Sequence, residues 1–278
     1  ELASNKLGRP LTPTFVYDVV THGFAAEMTE AEAALVRTIP GVKRVQQEVI
    51  RRLMTDRGPA WIKADQVWAG GGTPAITGNK GANVIIGVID TGINRTHPSF
   101  AASGTLGSPA NSPFAETFTI SNPKGSFVGR CAVSGQSSKC NNKLIGLWDF
   151  VAGSAGNTGD ANDTDGHGTH TASTTSGNPL KITISGGVTP YNPTMSGVAP
   201  RANIIAYKAC DSTGCPGSKT VASINQAVID GVNVISYSIG GGPSDPYSNY
   251  TNGTIDDDSE AFLAARAAGI VSSVAAGN

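Results

Sequence analysis

The chain has 278 residues, and its 20 Lys+Arg against 21 Asp+Glu leave a formal net charge of −1. No basic field exists to neutralise phosphates, so nucleic acid is not an expected partner. Apolar runs such as 84–86 and 88–89 fall far short of the ~20 residues a membrane helix needs, so no membrane span is expected either. Only 15% of residues are charged and 35 are glycine, about 13% against an ordinary ~7%; this is a turn-rich chain with little surface charge, unlike intracellular, coiled-coil or disordered proteins.

Residues 1–54 read as a small α+β unit, more charged than the remainder of the chain. The alternation over 15–20 predicts a strand, and Thr29-x-x-Glu32 is a capping box opening a helix over 29–38, which Pro40-Gly41 stops. A second strand is expected over 42–49, before the basic pair Arg51-Arg52 and a domain boundary near Met54.

From Asn83 onward strands and helices alternate. The Val/Ile-rich stretches 84–89, 143–150 and 202–209 read as buried strands, and that order predicts a mostly parallel α/β sheet with helices on both faces. A helix over 218–230, carrying Val221, Ile224, Val228 and Ile229, stops at Gly231 and returns as a strand over 232–239. The unit repeats with Asp257-x-x-Glu260, an alanine-rich helix ended by Gly269, and a strand over 270–275. A parallel strand feeds a helix that covers the sheet, so the unit is expected to continue past Asn278. Stretches 101–122 and 181–193 are rich in Gly, Ser, Pro and Asn without apolar periodicity, and read as surface insertions.

Four cysteines fall in two local pairs, Cys131 with Cys140 and Cys210 with Cys215, and local disulfides are expected; zinc and unpaired core thiols are the rival readings. Asn94, Asn162, Asn249 and Asn252 each open an N-glycosylation pattern.

Four short motifs carry the chemistry. Val88-Ile-Asp90-Thr-Gly92 puts a carboxylate at the carboxyl end of a buried strand, where open α/β sheets build their sites. Asp-Thr-Gly also marks aspartic proteases, but those need a second such carboxylate, and the chain has no second Asp-Thr-Gly or Asp-Ser-Gly, which leaves only a homodimer. In Asp165-Gly-His167-Gly-Thr-His170, flanking glycines give His167 the access a general base needs. The spacing of three, with Gly168 after the first histidine, is not that of a zinc-protease helix, and His170 reads as a hydrogen-bonded structural residue. Ser236-Tyr-Ser238-Ile-Gly240-Gly241 ends a strand with small residues that leave a backbone edge open to an extended peptide. In Val274-Ala-Ala-Gly-Asn278 a side-chain amide after a strand suits an oxyanion donor.

The order Asp, His, Ser-Ile-Gly-Gly, Ala-Gly-Asn is similar to that of the subtilases, the subtilisin-like serine endopeptidases, and the resemblance runs from about Pro13 to Asn278. Thr21-His-Gly-Phe-Ala-Ala26 and Ile39-Pro-Gly-Val-Lys-Arg-Val45 resemble the inhibitory propeptide of that family. Phe127-Val-Gly-Arg-Cys131, Cys140-Asn-Asn-Lys-Leu-Ile-Gly146 and Gly197-Val-Ala-Pro-Arg-Ala202 resemble its secreted plant-type branch.

The resemblance implies a propeptide over 1–54, incomplete at its start, and a subtilisin-like catalytic domain over 55–278. It implies that Asp90 orients the imidazole, His167 is general base and acid, Asn278 donates to the oxyanion, and Ser238, Ile239, Gly240 and Gly241 line the substrate cleft. Polypeptides would be the substrates, the propeptide an intramolecular inhibitor, and the extracellular space the location. No cofactor is expected. The acidic run Asp256-Asp-Asp258 reads as a helix start, so no metal is expected either. The family's nucleophile lies in Gly-Thr-Ser-Met, which is absent from these residues; Thr194-Met-Ser196-Gly has another order and precedes a strand, so Ser196 is rejected. The serine is expected beyond Asn278, and the 278 residues alone are expected to be inactive. The alternative is a catalytically dead, peptide-binding relative.

Overall fold

A computed structural model describes residues 1–17, 23–46, 58–71, 75–105, 117–181, 194–240 and 257–276. The chain divides into two compact units, Glu1–Arg52 and Leu53–Asn278.

In the first unit, helix α1 (Leu2–Leu7) precedes an antiparallel pair, β1 (Phe15–Tyr17) and β2 (Gly23–Ala25), and then helix α2 (Glu30–Arg37). The capping box forms in both directions: the Glu32 amide donates to the Thr29 hydroxyl, and the Thr29 amide donates to the Glu32 carboxylate at 2.8 Å. Arg9 adds a bidentate pair to Glu32, at 2.6 and 2.9 Å. The strand expected over 42–49 is not formed in its described part, 42–46; there Arg37 Nε takes the Val45 carbonyl, so the segment is tied back to α2. Residues 47–49 lie outside the described residues.

The second unit opens with α3 (Gly58–Trp61) and α4 (Ala64–Ala69), followed by β3 (Ile85–Asp90), the ribbon β4 (Ser103–Thr105) and β5 (Thr117–Thr119), and β6 (Val128–Gly129). Next come β7 (Leu144–Asp149), α5 (His167–Ser176), the short pair β8 (Leu180–Lys181) and β9 (Thr194–Met195), and β10 (Asn203–Lys208). Helix α6 (Gly217–Asp230), β11 (Val234–Tyr237), α7 (Asp257–Ala267) and β12 (Val271–Val274) complete the described part.

Six strands form one sheet in the order β12-β11-β3-β10-β7-β6, every pairing parallel. Period-two alternation sorts the central strand between two cores. Ile85 and Ile89 pack with Ile224 and Ala227 of α6 and Ala265 of α7. Ile86 and Val88 pack with Ala172 of α5. Helices therefore cover both faces, and Asp90, in phase with Ile86 and Val88, belongs to the α5 face.

Two expectations need correction. Stretch 101–122 is not all surface: its flanks pair as β4 and β5, with Phe118 and Ile120 buried, and Gly104 leaves room for the Phe118 ring. Three-residue ribbons are too short to show a period in sequence. His170 is exposed, and its ring makes no hydrogen bond among the described residues.

Both local disulfides form, Cys131–Cys140 and Cys210–Cys215, closing loops of nine and five residues' separation. Asn94 and Asn162 are exposed, whereas Asn249 and Asn252 lie outside the described residues. Among the described residues no helix is long and apolar enough to cross a membrane.

Candidate active site

Strand β3 ends on Asp90, whose residue is only 1% exposed, and His167 is the first residue of α5. Asp90 Oδ1 lies 2.7 Å from His167 Nδ1. The same oxygen accepts the Thr91 amide at 2.7 Å, and Oδ2 accepts the Thr171 hydroxyl, one turn further along α5, at 3.1 Å. An ionised carboxylate only accepts, so Nδ1 carries the proton and the neutral ring keeps its lone pair on Nε2. The His167 side chain is half exposed, while that of Asp90 is 2% exposed. A buried carboxylate thus grips one nitrogen and leaves the other edge of the ring reachable.

The bond to Asp90 raises the imidazole pKa above its usual 6.5 against a lowering by burial, and the charges of Asp90, Asp165 and Asp163 raise it further.

The start of α5 leaves backbone N–H groups without helical partners, and each finds one nearby. Asp165 accepts the His167 amide at 3.2 Å, Thr91 Oγ1 accepts the Gly168 amide at 2.8 Å, and Asp163 Oδ2 accepts the Thr169 amide at 2.8 Å. The residue before the helix, Gly166, has φ 103°, a conformation that suits glycine.

Asp163 is the residue that sequence reading missed. It accepts the Thr91 hydroxyl at 2.9 Å, the Asp165 and Gly166 amides, and the Thr169 hydroxyl at 2.5 Å, so it joins the turn after Asp90 to the start of the histidine helix. Its only sequence signal was an acidic residue four before His167, inside a glycosylation pattern.

Burial pushes the Asp163 carboxyl up, but the Thr169 hydroxyl, the Gly166 and Thr169 amides and the Thr91 hydroxyl outweigh it and hold the pKa at about 2. A depressed carboxylate contributes stability above its unfolded pKa of about 4 and loses it as pH falls toward about 2. Asp163→Asn is therefore expected to be less stable than the parent near neutrality by on the order of 1–2 kcal/mol, allowing for solvent screening, and the gap is expected to close between about pH 4 and pH 2. Urea midpoints of the two proteins across that range check it.

Ser238 and Ile239 are half-buried and Gly240 is exposed; they leave the sheet from β11, the direct neighbour of β3. A Cβ on Gly240 would meet nothing within 4 Å, so the backbone there is unobstructed. Gly241 and Asn278 lie outside the described residues, as does Asp256. Asp258 accepts hydroxyls from Thr220 and Tyr237, at 2.7 and 2.6 Å, which ties α7 to α6 and to the end of β11.

Ser196 sits at the other end of α5, where Gly197 backs onto Ser173, Ser176 and Gly177. His167 opens that helix of ten residues, which is about 15 Å long at 1.5 Å per residue, so the two ends lie far apart.

The subtilase family pattern matches residues 81–278, and the peptidase inhibitor I9 pattern matches residues 13–54. The chain is 35% identical to the subtilisin-like protease SBT1.4 of Arabidopsis thaliana over 287 aligned positions, covering 97% of this chain and 33% of that one. It is 34% identical to SBT1.5 of the same plant over 236 positions, covering 81% and 28%. The chain thus spans about a third of the length of the curated relatives it matches. A cold-adapted subtilisin-like serine proteinase of known structure is 23% identical, with a TM-score of 0.42 over 73% of this chain and 50% of that one. Since the subtilase match runs through most of the chain, from ahead of β3 to Asn278, the chain belongs to the subtilase family.

Proposed function

We propose that the full-length protein is a secreted serine endopeptidase that cleaves polypeptides through an acyl-enzyme, with Asp90 and His167 as two members of its triad. The observation that carries this reading is the 2.7 Å contact between a buried Asp90 carboxylate and Nδ1 of a half-exposed His167, at the carboxyl end of a parallel sheet. His167 Nε2 takes the proton of a serine hydroxyl as the oxygen attacks the scissile carbonyl, and returns it to the departing amine; Asp90 holds the ring and offsets the charge of the imidazolium. The Asn278 amide donates to the oxyanion, and the backbone of 238–241 pairs with the extended substrate. The serine is supplied by sequence beyond Asn278.

Residues 1–54 act as the propeptide, inhibiting in cis until the chain is cut near Arg52–Thr55, and 55–278 as the catalytic unit. The I9 match over 13–54 supports this assignment. The two disulfides favour an oxidising compartment, and exposed Asn94 and Asn162 are available to glycosylation there.

The test is to treat the full-length protein with a fluorophosphonate probe and with peptidyl nitroanilides. Expected are hydrolysis, a mature chain beginning near Thr55, and one labelled serine carboxy-terminal to Asn278. A folded full-length protein that is neither labelled nor hydrolytic overturns the reading and leaves a peptide-binding relative.

A further inference from the structure

Lys208 is the last residue of β10, and the register pairs it with Asp90 on β3. Strand alternation puts it in phase with Ile204 and Ala206, on the α5 face beneath the candidate pair. It is 7% exposed, and no carboxylate among the described residues forms an ion pair with it. An ammonium buried without a counter-charge is costly, and an apolar side chain of the same length would suit the core better. What the charge gains instead is two carbonyl oxygens: Nζ donates to Thr91 O at 2.6 Å and to Asn162 O at 2.8 Å.

Those two oxygens belong to different loops. Thr91 directly follows Asp90, and its hydroxyl holds both the Gly168 amide and Asp163. Asn162 directly precedes Asp163, the carboxylate that caps the start of α5. The loops also meet where the Ile93 amide donates to the Ala161 carbonyl at 2.9 Å. The ammonium is thus a fixed point from which the Asp90 turn and the loop leading to His167 are both hung.

We propose that Lys208 is a positioning residue for the Asp90–His167 pair, its ammonium fixing the distance between the two loops that carry them. The role rests on the function proposed above, because a fixed acid–imidazole distance matters only where His167 moves protons. Lys208 touches neither substrate nor reacting atoms. Losing it removes the donor that joins the two carbonyls, so the loops separate and the bond from Nδ1 to Oδ1 lengthens or breaks.

The test compares the full-length protein with Lys208→Met, which keeps length and apolar stem but removes the charge and the donors. Two readouts report on His167 itself: the low-field resonance of the Nδ1 proton and the titration midpoint of the ring by NMR. The carboxylates acting on that ring are Asp90, Asp165 and Asp163. Expected are loss of the low-field resonance, a midpoint moved down toward 6.5, and a fall in kcat of roughly 10²-fold with KM changed much less. A folded Lys208→Met protein with the parent's resonance, midpoint and kcat overturns the proposal. If that variant does not fold, Lys208→Gln, shorter and uncharged, is read by the same measurements; if neither folds, Lys208 is a folding residue and the proposal falls. Should the parent hydrolyse no peptide at all, the proposed function fails, while the two NMR readouts still judge the clamp.

Discussion

Replacing Asp90 by Asn in the full-length protein is expected to lower kcat for peptide hydrolysis by about 10⁴, close to 5.5 kcal/mol of transition-state stabilisation, with little change in KM. The reason is the tautomer. Asp90 only accepts, so it fixes the proton on Nδ1 and leaves Nε2 free as the base. An asparagine amide can present its N–H₂ to Nδ1 instead, which moves the ring proton to Nε2, where it can no longer accept one from serine. In subtilisin, loss of the triad aspartate costs about 3 × 10⁴ and loss of the histidine about 2 × 10⁶, so His167→Ala is expected to cost more than Asp90→Asn. The pH profile gives a second reading. The bond to Asp90 is the largest cause of the raised His167 pKa, so the acidic limb of kcat/KM, where the base is still protonated, is expected above 6.5 in the parent and displaced downward in Asp90→Asn. A loss of less than tenfold, with the limb unmoved, contradicts the assignment.

The parts of this site that could be read in the sequence are those carried by short contiguous signals. Val88-Ile-Asp90 announces a carboxylate at a strand end because this buried parallel strand is Val and Ile, apart from Gly87, until its last residue. The glycines around His167 announce a close approach. The scaffold around the pair was not legible, because its parts are far apart in the chain. Thr91 meets Asp163 across 72 residues, and Lys208 meets Thr91 across 117. An isolated Asp in a loop and an isolated Lys closing a strand look like solvated punctuation until the fold puts carbonyls and amides around them. The same holds for Asp230: it reads as the last residue of a helix, yet it is buried and accepts the Trp148 indole and Tyr207 hydroxyl of two strands. Length also mattered. Six-residue strands such as β3 and β10 show their composition, whereas β4 and β5, three residues each, do not.

Gly168→Ala is expected to destabilise the protein by on the order of 1–3 kcal/mol and to lower kcat by roughly 10²-fold, although it improves helix propensity. Gly168 is the second residue of α5, and propensity alone favours alanine there by about 1 kcal/mol. Space decides the sign. A Cβ at this position would lie 2.9 Å from Gly92 N and closer still to Gly92 O, and these are backbone atoms of the turn that succeeds Asp90, with no rotamer to yield. Gly92 cannot back away either: at φ +115° it is itself packed against Ala161 and Asn162. The helix must therefore move, and with it His167, one residue earlier, while Asp90 stays fixed in the central strand. Gly217→Ala supplies the contrast, because that glycine opens α6 with nothing within 4 Å of its Cβ, and the change is expected to be neutral or slightly stabilising. Urea unfolding and kcat of both variants separate the two effects. If Gly168→Ala keeps the parent's kcat and its low-field Nδ1 resonance, the approach of α5 to the Thr91–Gly92 turn is not what sets the Asp90–His167 distance.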